Sequence, residues 1–270
     1  AVIGTGALGK HHARIYAELA KEGLIECVGV YDQNISAAKE VANQHRIPLL
    51  QTMEEATELA HALSVVTPTI THFSIASGLL EKGKHLLVEK PMTDNTEQAK
   101  HLVELACKKN CVLQIGHVER FNPVFTYLNA SAKEPKFIET HRLSPYPARS
   151  TDIGVVLDLM IHDLDIVLAF VKSSVVQVDS AGVSVLSKSA DIANARLKFA
   201  NGCVANLTVS RISPERMRKI RVFSGGKEAS YISLDYQKQE GFIYRVASGG
   251  ETPSSFWTQL LASRKKDFKV

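Results

Sequence analysis

An α/β chain of two domains is predicted by three observations. A short apolar run opens directly into the glycines Gly4, Gly6 and Gly9. Apolar runs then alternate with helical stretches up to about residue 117, the pattern of a doubly wound parallel sheet. After that the alternation stops and β-like runs follow one another, so residues 118–270 are expected to form an α+β domain with an open, mainly antiparallel sheet.

In the first domain, residues 1–117, strands are expected at Ala1 to Ile3, Cys27 to Tyr31, Leu63 to Val66, His85 to Val88 and Val112 to Ile115. Helical stretches such as Glu97 to Lys109 separate them. In the opening turn, Gly4 permits a tight bend, Gly6 lets the backbone approach a pyrophosphate, and Gly9 lets the next helix pack closely on the strand. That helix has an apolar period through Leu8, Ile15 and Leu19, and its N-terminus can hold an anion. Asp32 lies 23 residues past Gly9, at the end of the second strand. A carboxylate there accepts hydrogen bonds from a ribose 2′-hydroxyl and repels a 2′-phosphate, and Gln33 and Asn34 offer no cation to offset that repulsion. NAD is therefore expected over NADP. Ligands on such sheets lie beyond the carboxyl ends of the strands, so the expected cofactor residues are Gly4, Thr5, Gly6, Ala7, Leu8, Gly9, Asp32, Thr67, Pro68, His72, Glu89 and Lys90.

The second domain is expected to begin with a short helix near Pro123 to Asn129 and a strand at Lys136 to Leu143, then a strongly apolar helix from Val155 to Val171. Strands should follow at Val175 to Leu186, Ile192 to Phe199, Cys203 to Ile212, Ile220 to Phe223 and Tyr231 to Leu234. Asn201-Gly202 signals a two-residue hairpin. Ala247 to Ser255 is turn-rich and poorly determined by pattern.

Three groups of residues could carry chemistry. Lys90 closes a buried strand at the cofactor edge, where an ammonium can orient a substrate oxygen; a solvated lysine at a strand end is the bland alternative. Asp158 and His162 stand four apart on the apolar helix and so share a face. Histidine is suited to take a proton from an alcohol, and a carboxylate beside it can orient or charge-tune the ring. Asp163 and Asp165 lie off that face and should cap or pair. At the domain crossing, His117, Arg120 and Asn122 are candidate ligand contacts, or else members of a hinge held by side-chain hydrogen bonds. Arg142, Arg149 and Arg211 could answer a phosphate by bidentate pairing.

Composition narrows the class. The 270 residues are 45% hydrophobic and 22% charged, enough for two domains sharing one cleft. No apolar run approaches the roughly 20 residues of a membrane span. The opening residues lack a basic leader and cleavage site, and the four cysteines show no metal spacing, so a reducing cytoplasm and no metal are expected. The net charge of +4 divides unevenly, with 11 basic and 13 acidic groups before residue 118 and 21 and 15 after it, which is either an ordinary solvated surface or a field that favours an anionic substrate. No nucleic-acid reading motif accompanies that charge. The chain starts inside a strand without Met, so further residues are expected before Ala1.

Taken together, GTGALG at Gly4 to Gly9, VTPT at Val66 to Thr69, EKP at Glu89 to Pro91 and D-x-x-x-H at Asp158 to His162 resemble the glucose-fructose oxidoreductase and inositol dehydrogenase family, Gfo/Idh/MocA. The resemblance covers essentially the whole chain. It implies an N-terminal Rossmann domain, an open antiparallel sheet in the second, oligomerisation through the sheet face as a homodimer or homotetramer, and catalysis by Lys90 with His162 assisted by Asp158. Gly116 to Phe125, Leu143 to Val167 and Asp191 to Ser213 are similar to a bacterial branch whose members dehydrogenate UDP-N-acetylglucosamine at C3 in lipid A sugar biosynthesis. That branch implies a nucleotide-sugar substrate held by His117, Arg120, Asn122, Arg149 and His162. Oxidation of inositol or a free sugar is the alternative within the family, and a non-catalytic NAD-binding regulator the alternative outside enzymes. Family members run several tens of residues beyond the position of Val270, so a further closing element is expected.

Overall fold

The computed structural model describes residues 1–146, 153–226, 229–245 and the backbone of 265–269. The chain divides into two compact units, Ala1–His117 and Val118–Val270.

In the first unit, strands β1 (Val2–Ile3), β2 (Val30–Tyr31), β3 (Ala62–Val65), β4 (His85–Val88) and β5 (Leu113–Ile115) form a parallel sheet in the order β2-β1-β3-β4-β5. Parallel neighbours need crossovers. These are α1 (Gly9–Lys21) from β1 to β2, the pair α2 (Ile35–His45) and α3 (Met53–Leu59) from β2 to β3, then α4 (Thr69–Glu81) and α5 (Thr96–Lys108). Asn34, Thr52 and Asn95 start α2, α3 and α5 by accepting a backbone N–H through their side chains.

Helix α1 departs from its expected apolar face. Gly9, Ala13 and Ala17 are buried, whereas Leu8 and Ile15 are 48% and 42% exposed. A Cβ on Gly9 would collide with the Gly4 carbonyl, so the start of the helix lies against the glycine turn too closely for any side chain at that position.

The second unit opens with a 3₁₀ turn at Val118–Phe121 and α6 (Pro123–Ser131). Strand β6 (Pro135–Leu143) comes next, followed by a π-helical turn at Val156–Met160 that runs into α7 (Ile161–Val171). Strands β7 (Val175–Val183), β8 (Ile192–Phe199), β9 (Val204–Ser210), β10 (Met217–Ser224), β11 (Ser230–Asp235), β12 (Glu240–Arg245) and β13 (Lys265–Lys269) complete an eight-stranded sheet. Its order is β13-β12-β11-β10-β6-β9-β8-β7, antiparallel except between β6 and β9. One face is apolar and closes a core with Val124, Leu128, Ile166, Val167 and Phe170 of the helices. The other face carries an aromatic row across four strands, Phe137, Phe223, Tyr231 and Tyr244, with neighbouring rings 4.8–5.9 Å apart.

The β8–β9 hairpin is longer than the expected two-residue turn. Gly202 takes φ +83° and its N–H bonds to the Phe199 carbonyl, while Phe199 N–H bonds to Cys203, which leaves three residues in the loop. Strands β12 and β13 were not anticipated, and the turn-rich stretch from Ala247 lies outside the described residues.

Candidate functional site: a dinucleotide edge and a histidine helix

All five parallel strands of the first unit end on one edge, and the strand order reverses between β1 and β3. The Gly4-to-Gly9 turn leaves β1 there, and Thr67-Pro68 follows β3. Gly4 has φ +94°, and a Cβ on it would meet the Val66 carbonyl oxygen at 2.5 Å. Gly6, in contrast, has open space where a Cβ would stand. Helix α1 begins without a side-chain cap or an acidic residue in its first turn, so its positive dipole end is open to an anion. Ala7 and Leu8 line the same exposed turn.

Asp32 is held in place before any ligand arrives. Its Oδ2 accepts the Thr5 N–H at 2.6 Å and the Thr5 hydroxyl at 3.0 Å, and its Oδ1 accepts the Asn34 N–H at 2.8 Å. Of the roughly four acceptor sites on a carboxylate, about one is left for a ribose hydroxyl. These features fit the pyrophosphate and the adenosine ribose of NAD.

His72 and Glu89 are bonded within the first unit. His72 is 1% exposed, with Nδ1 2.9 Å from the Pro91 carbonyl oxygen and Nε2 2.8 Å from that of Thr67. It ties the loops after β3 and β4 together from inside. Glu89 is also buried, its carboxylate facing His12 at 3.0 Å and accepting the Lys90 N–H at 3.2 Å. Lys90 follows at the strand end, half-buried, through a cis bond to Pro91.

In the second unit, Asp158 lies in the π turn and His162 in the first turn of α7, both half-buried on one continuous helical segment. The sequence spacing assumed a plain α-helix. A π turn lengthens the local repeat by bonding i to i+5, and such turns are frequent at functional sites.

Most of the charges that looked available for a ligand pair internally. Arg142, 2% exposed, donates Nε and Nη2 to Asp163 at 3.1 and 2.9 Å and Nη1 to Glu119 at 3.1 Å. Arg211, fully buried, donates Nε to Asp191 at 2.9 Å and further bonds to Ser187, Ser189 and the Ile153 carbonyl. Neither guanidinium is free for a phosphate. Burial works against the Asp191 carboxylate, but hydrogen bonds from Ser187, Val185 N–H, Ser187 N–H and Arg211 outweigh it and hold its pKa well below the usual range. Arg120 pairs bidentately with Asp165 at 2.8 and 2.6 Å. Asn122 caps α6 by accepting Val124 N–H and donates to Glu119. Asp163 and Asp165 therefore do pair, and Arg120 and Asn122 are held by hydrogen bonds within the second unit. His117 is half-buried at the end of the first unit, and Arg149 lies outside the described residues. No cluster able to hold a metal ion occurs among the described residues.

The family model described as an oxidoreductase family with an NAD-binding Rossmann fold, Gfo/Idh/MocA, matches residues 1–117, and a C-terminal domain model of the same family matches 115–231. The UDP-N-acetylglucosamine 3-dehydrogenase of Acidithiobacillus ferrooxidans is 39% identical over 249 residues, 92% of this chain and 77% of that protein. A crystal structure of that relative superposes with a TM-score of 0.83 at 37% identity, covering 97% of this chain and 84% of its own. The scyllo-inositol 2-dehydrogenase (NAD(+)) of Bacillus subtilis is 26% identical over 79% of this chain and 67% of its own length. This chain belongs to the Gfo/Idh/MocA family. It is an NAD-dependent oxidoreductase.

As a Gfo/Idh/MocA protein it carries one feature that the sequence motifs leave out. His12 and Tyr16 sit one turn apart on α1 and both reach Ser64 of β3, His12 by Nδ1 at 3.2 Å and Tyr16 by its hydroxyl at 2.6 Å. Their i,i+4 spacing on the helix after the glycine turn was the available signal. Glu119, Asp163 and Asp191 gave no such signal as partners of the arginines, because the pairing distances in sequence run from 20 to 23 residues.

Proposed function

We propose that the chain oxidises a secondary hydroxyl of a UDP-linked amino sugar, at C3 of UDP-N-acetylglucosamine, in the synthesis of lipid A sugars. The observation that carries this reading is the 39% identity across 92% of the chain to a dehydrogenase of that substrate. Bound NAD supplies the hydride acceptor. In this reading His162 accepts the hydroxyl proton, Lys90 orients the oxygen, and Asp158 holds the imidazole or tunes its charge. His117, Arg120, Asn122 and Arg149 contact the sugar nucleotide, with Arg120 steadied by Asp165 and Asn122 by Glu119. No helix among the described residues is long and apolar enough to cross a membrane, which accords with work in the cytoplasm. The aromatic row on the face of the second sheet opposite its core, with Phe223 40% exposed, supports assembly as a homodimer or homotetramer.

The test is NADH formation from UDP-N-acetylglucosamine beside inositol and free N-acetylglucosamine, with His162→Ala as the control. The nucleotide sugar should turn over fastest, and His162→Ala should lower kcat by about 10² to 10⁴ while NAD binding holds. Faster turnover of inositol, toward which the Bacillus subtilis relative points, or of the free sugar would replace the substrate assignment. Cofactor binding without turnover of any of the three would reject all three substrates.

A further inference from the structure

Four side chains and one backbone amide form a single hydrogen-bonded line inside the first unit. Tyr16 and His12 meet at Ser64 Oγ, His12 Nε2 lies 3.0 Å from Glu89 Oε1, and Glu89 Oε2 accepts the N–H of Lys90 at 3.2 Å. Ser64 is fully buried and Glu89 is 7% exposed. With a neutral ring, one direction satisfies every member. An ionised carboxylate only accepts, so His12 Nε2–H donates to it; Nδ1 then accepts from Ser64, and Ser64 accepts from Tyr16. A buried carboxylate without such donors would be costly.

Glu89 has little room to turn elsewhere. A Cβ on Gly116 would stand 2.8–3.0 Å from its carboxylate atoms, so the strand end of β5 closes against it. Glu89 N–H already bonds to Val65 and Gly116 N–H to Val88, which completes the ladder at that level. The next amide along β4, that of Lys90, turns instead to the carboxylate of Glu89. The pose of that carboxylate therefore sets the direction in which the chain leaves the strand, and with it the position of the Lys90 Cα.

We infer that His12 is a positioning residue for Lys90, acting through Glu89. It sits one turn into α1, whose N-terminus is the anion end of the cofactor site, so one side chain ties the helix that holds the cofactor phosphates to the turn that carries the lysine. The inference rests on the proposed catalytic part of Lys90. A displacement of a reacting group by about 1 Å can cost about 10²-fold in rate, so a loosened Glu89 matters even though it touches no substrate.

The experiment compares His12→Leu, which removes both ring nitrogens, with His12→Gln, whose amide can still donate to Glu89. Lysines are reductively methylated with ¹³C-formaldehyde, and the Lys90 resonance is assigned by its loss in Lys90→Arg. In the folded His12→Leu protein the Lys90 resonance should shift or broaden, and kcat should fall by about 10- to 100-fold with NAD affinity within about threefold of the parent. His12→Gln should restore both. If His12→Leu does not fold, Ser64→Ala, which removes the donor to Nδ1 together with the acceptor of the Tyr16 hydroxyl, should move the Lys90 resonance in the same sense. An unmoved Lys90 resonance in a folded His12→Leu or Ser64→Ala protein overturns the inference, as does a His12→Gln protein impaired to the level of His12→Leu. The resonance needs no substrate, so the inference is decided even if UDP-N-acetylglucosamine is not turned over.

Discussion

The two units use polar groups in opposite ways. In the first, apart from the buried His72 and Glu89, the residues picked out by sequence lie at the carboxyl edge of a parallel sheet, where the glycine turn, Asp32 and Lys90 are exposed or half-exposed. In the second, the charges that looked fit for a ligand turn inward: Arg142, Asp163, Arg211 and Asp191 are all nearly or fully buried and bonded to one another. A site built from backbone geometry can be read locally, since glycines and strand ends dictate it. A site built from long side chains depends on what those chains find, and a bonded guanidinium is indistinguishable in sequence from a waiting one.

The largest expected effect tests how far backbone geometry governs the first unit. Gly9→Ala drives a Cβ into the Gly4 carbonyl, a collision of backbone with backbone, whereas Gly6→Ala meets open space. Gly9→Ala should abolish NAD binding and lower the melting temperature by about 10 °C or more, since strain of this kind belongs with the most damaging single changes. Gly6→Ala should melt like the parent and bind NAD more weakly, because the added methyl stands where the pyrophosphate approaches. Thermal melts and NAD titration check both. Equal melting temperatures for the two variants would break the distinction between packing and binding glycines.

Next in size is the buried pairing of the second unit. Arg142→Met leaves Asp163 and Glu119 without their guanidinium, and breaking a buried pair from one side costs about 3–5 kcal/mol. Denaturant melts should show that loss, while the KM for the nucleotide sugar measured on folded protein stays near the parental value. A raised KM with unchanged stability would return Arg142 to the phosphate site.

The smallest effect sharpens the comparison by reporting on one unit alone. Burial pushes the Cys203 thiol up to about 11, and Cys203 lies in the core of the second unit, while Cys107 on α5 is exposed. At pH 8 a thiol reagent should label Cys107 at once and Cys203 only through opening of its core. Arg142→Met should speed the labelling of Cys203 several-fold, and Gly9→Ala should leave it nearly unchanged. Mass spectrometry of the labelled peptides separates the two sites.

The sequence by itself determined the parallel sheet, the glycine turn, the place of Asp32 just past the second strand, the placing of Lys90 at a strand end and the sharing of one helix by Asp158 and His162. Each of these depends on contacts within a few residues or on a period of two or 3.6, and such signals are complete in the chain. Only the tertiary structure decided that α1 buries Ala13 and Ala17 in place of Leu8 and Ile15, because the closeness of helix to sheet is set by Gly9 against Gly4. It alone joined Arg142 to Asp163, Arg211 to Asp191 and His12 to Glu89, the last across 77 residues. Buried polar groups must find partners, and which partner is near depends on how strands distant in sequence are set side by side.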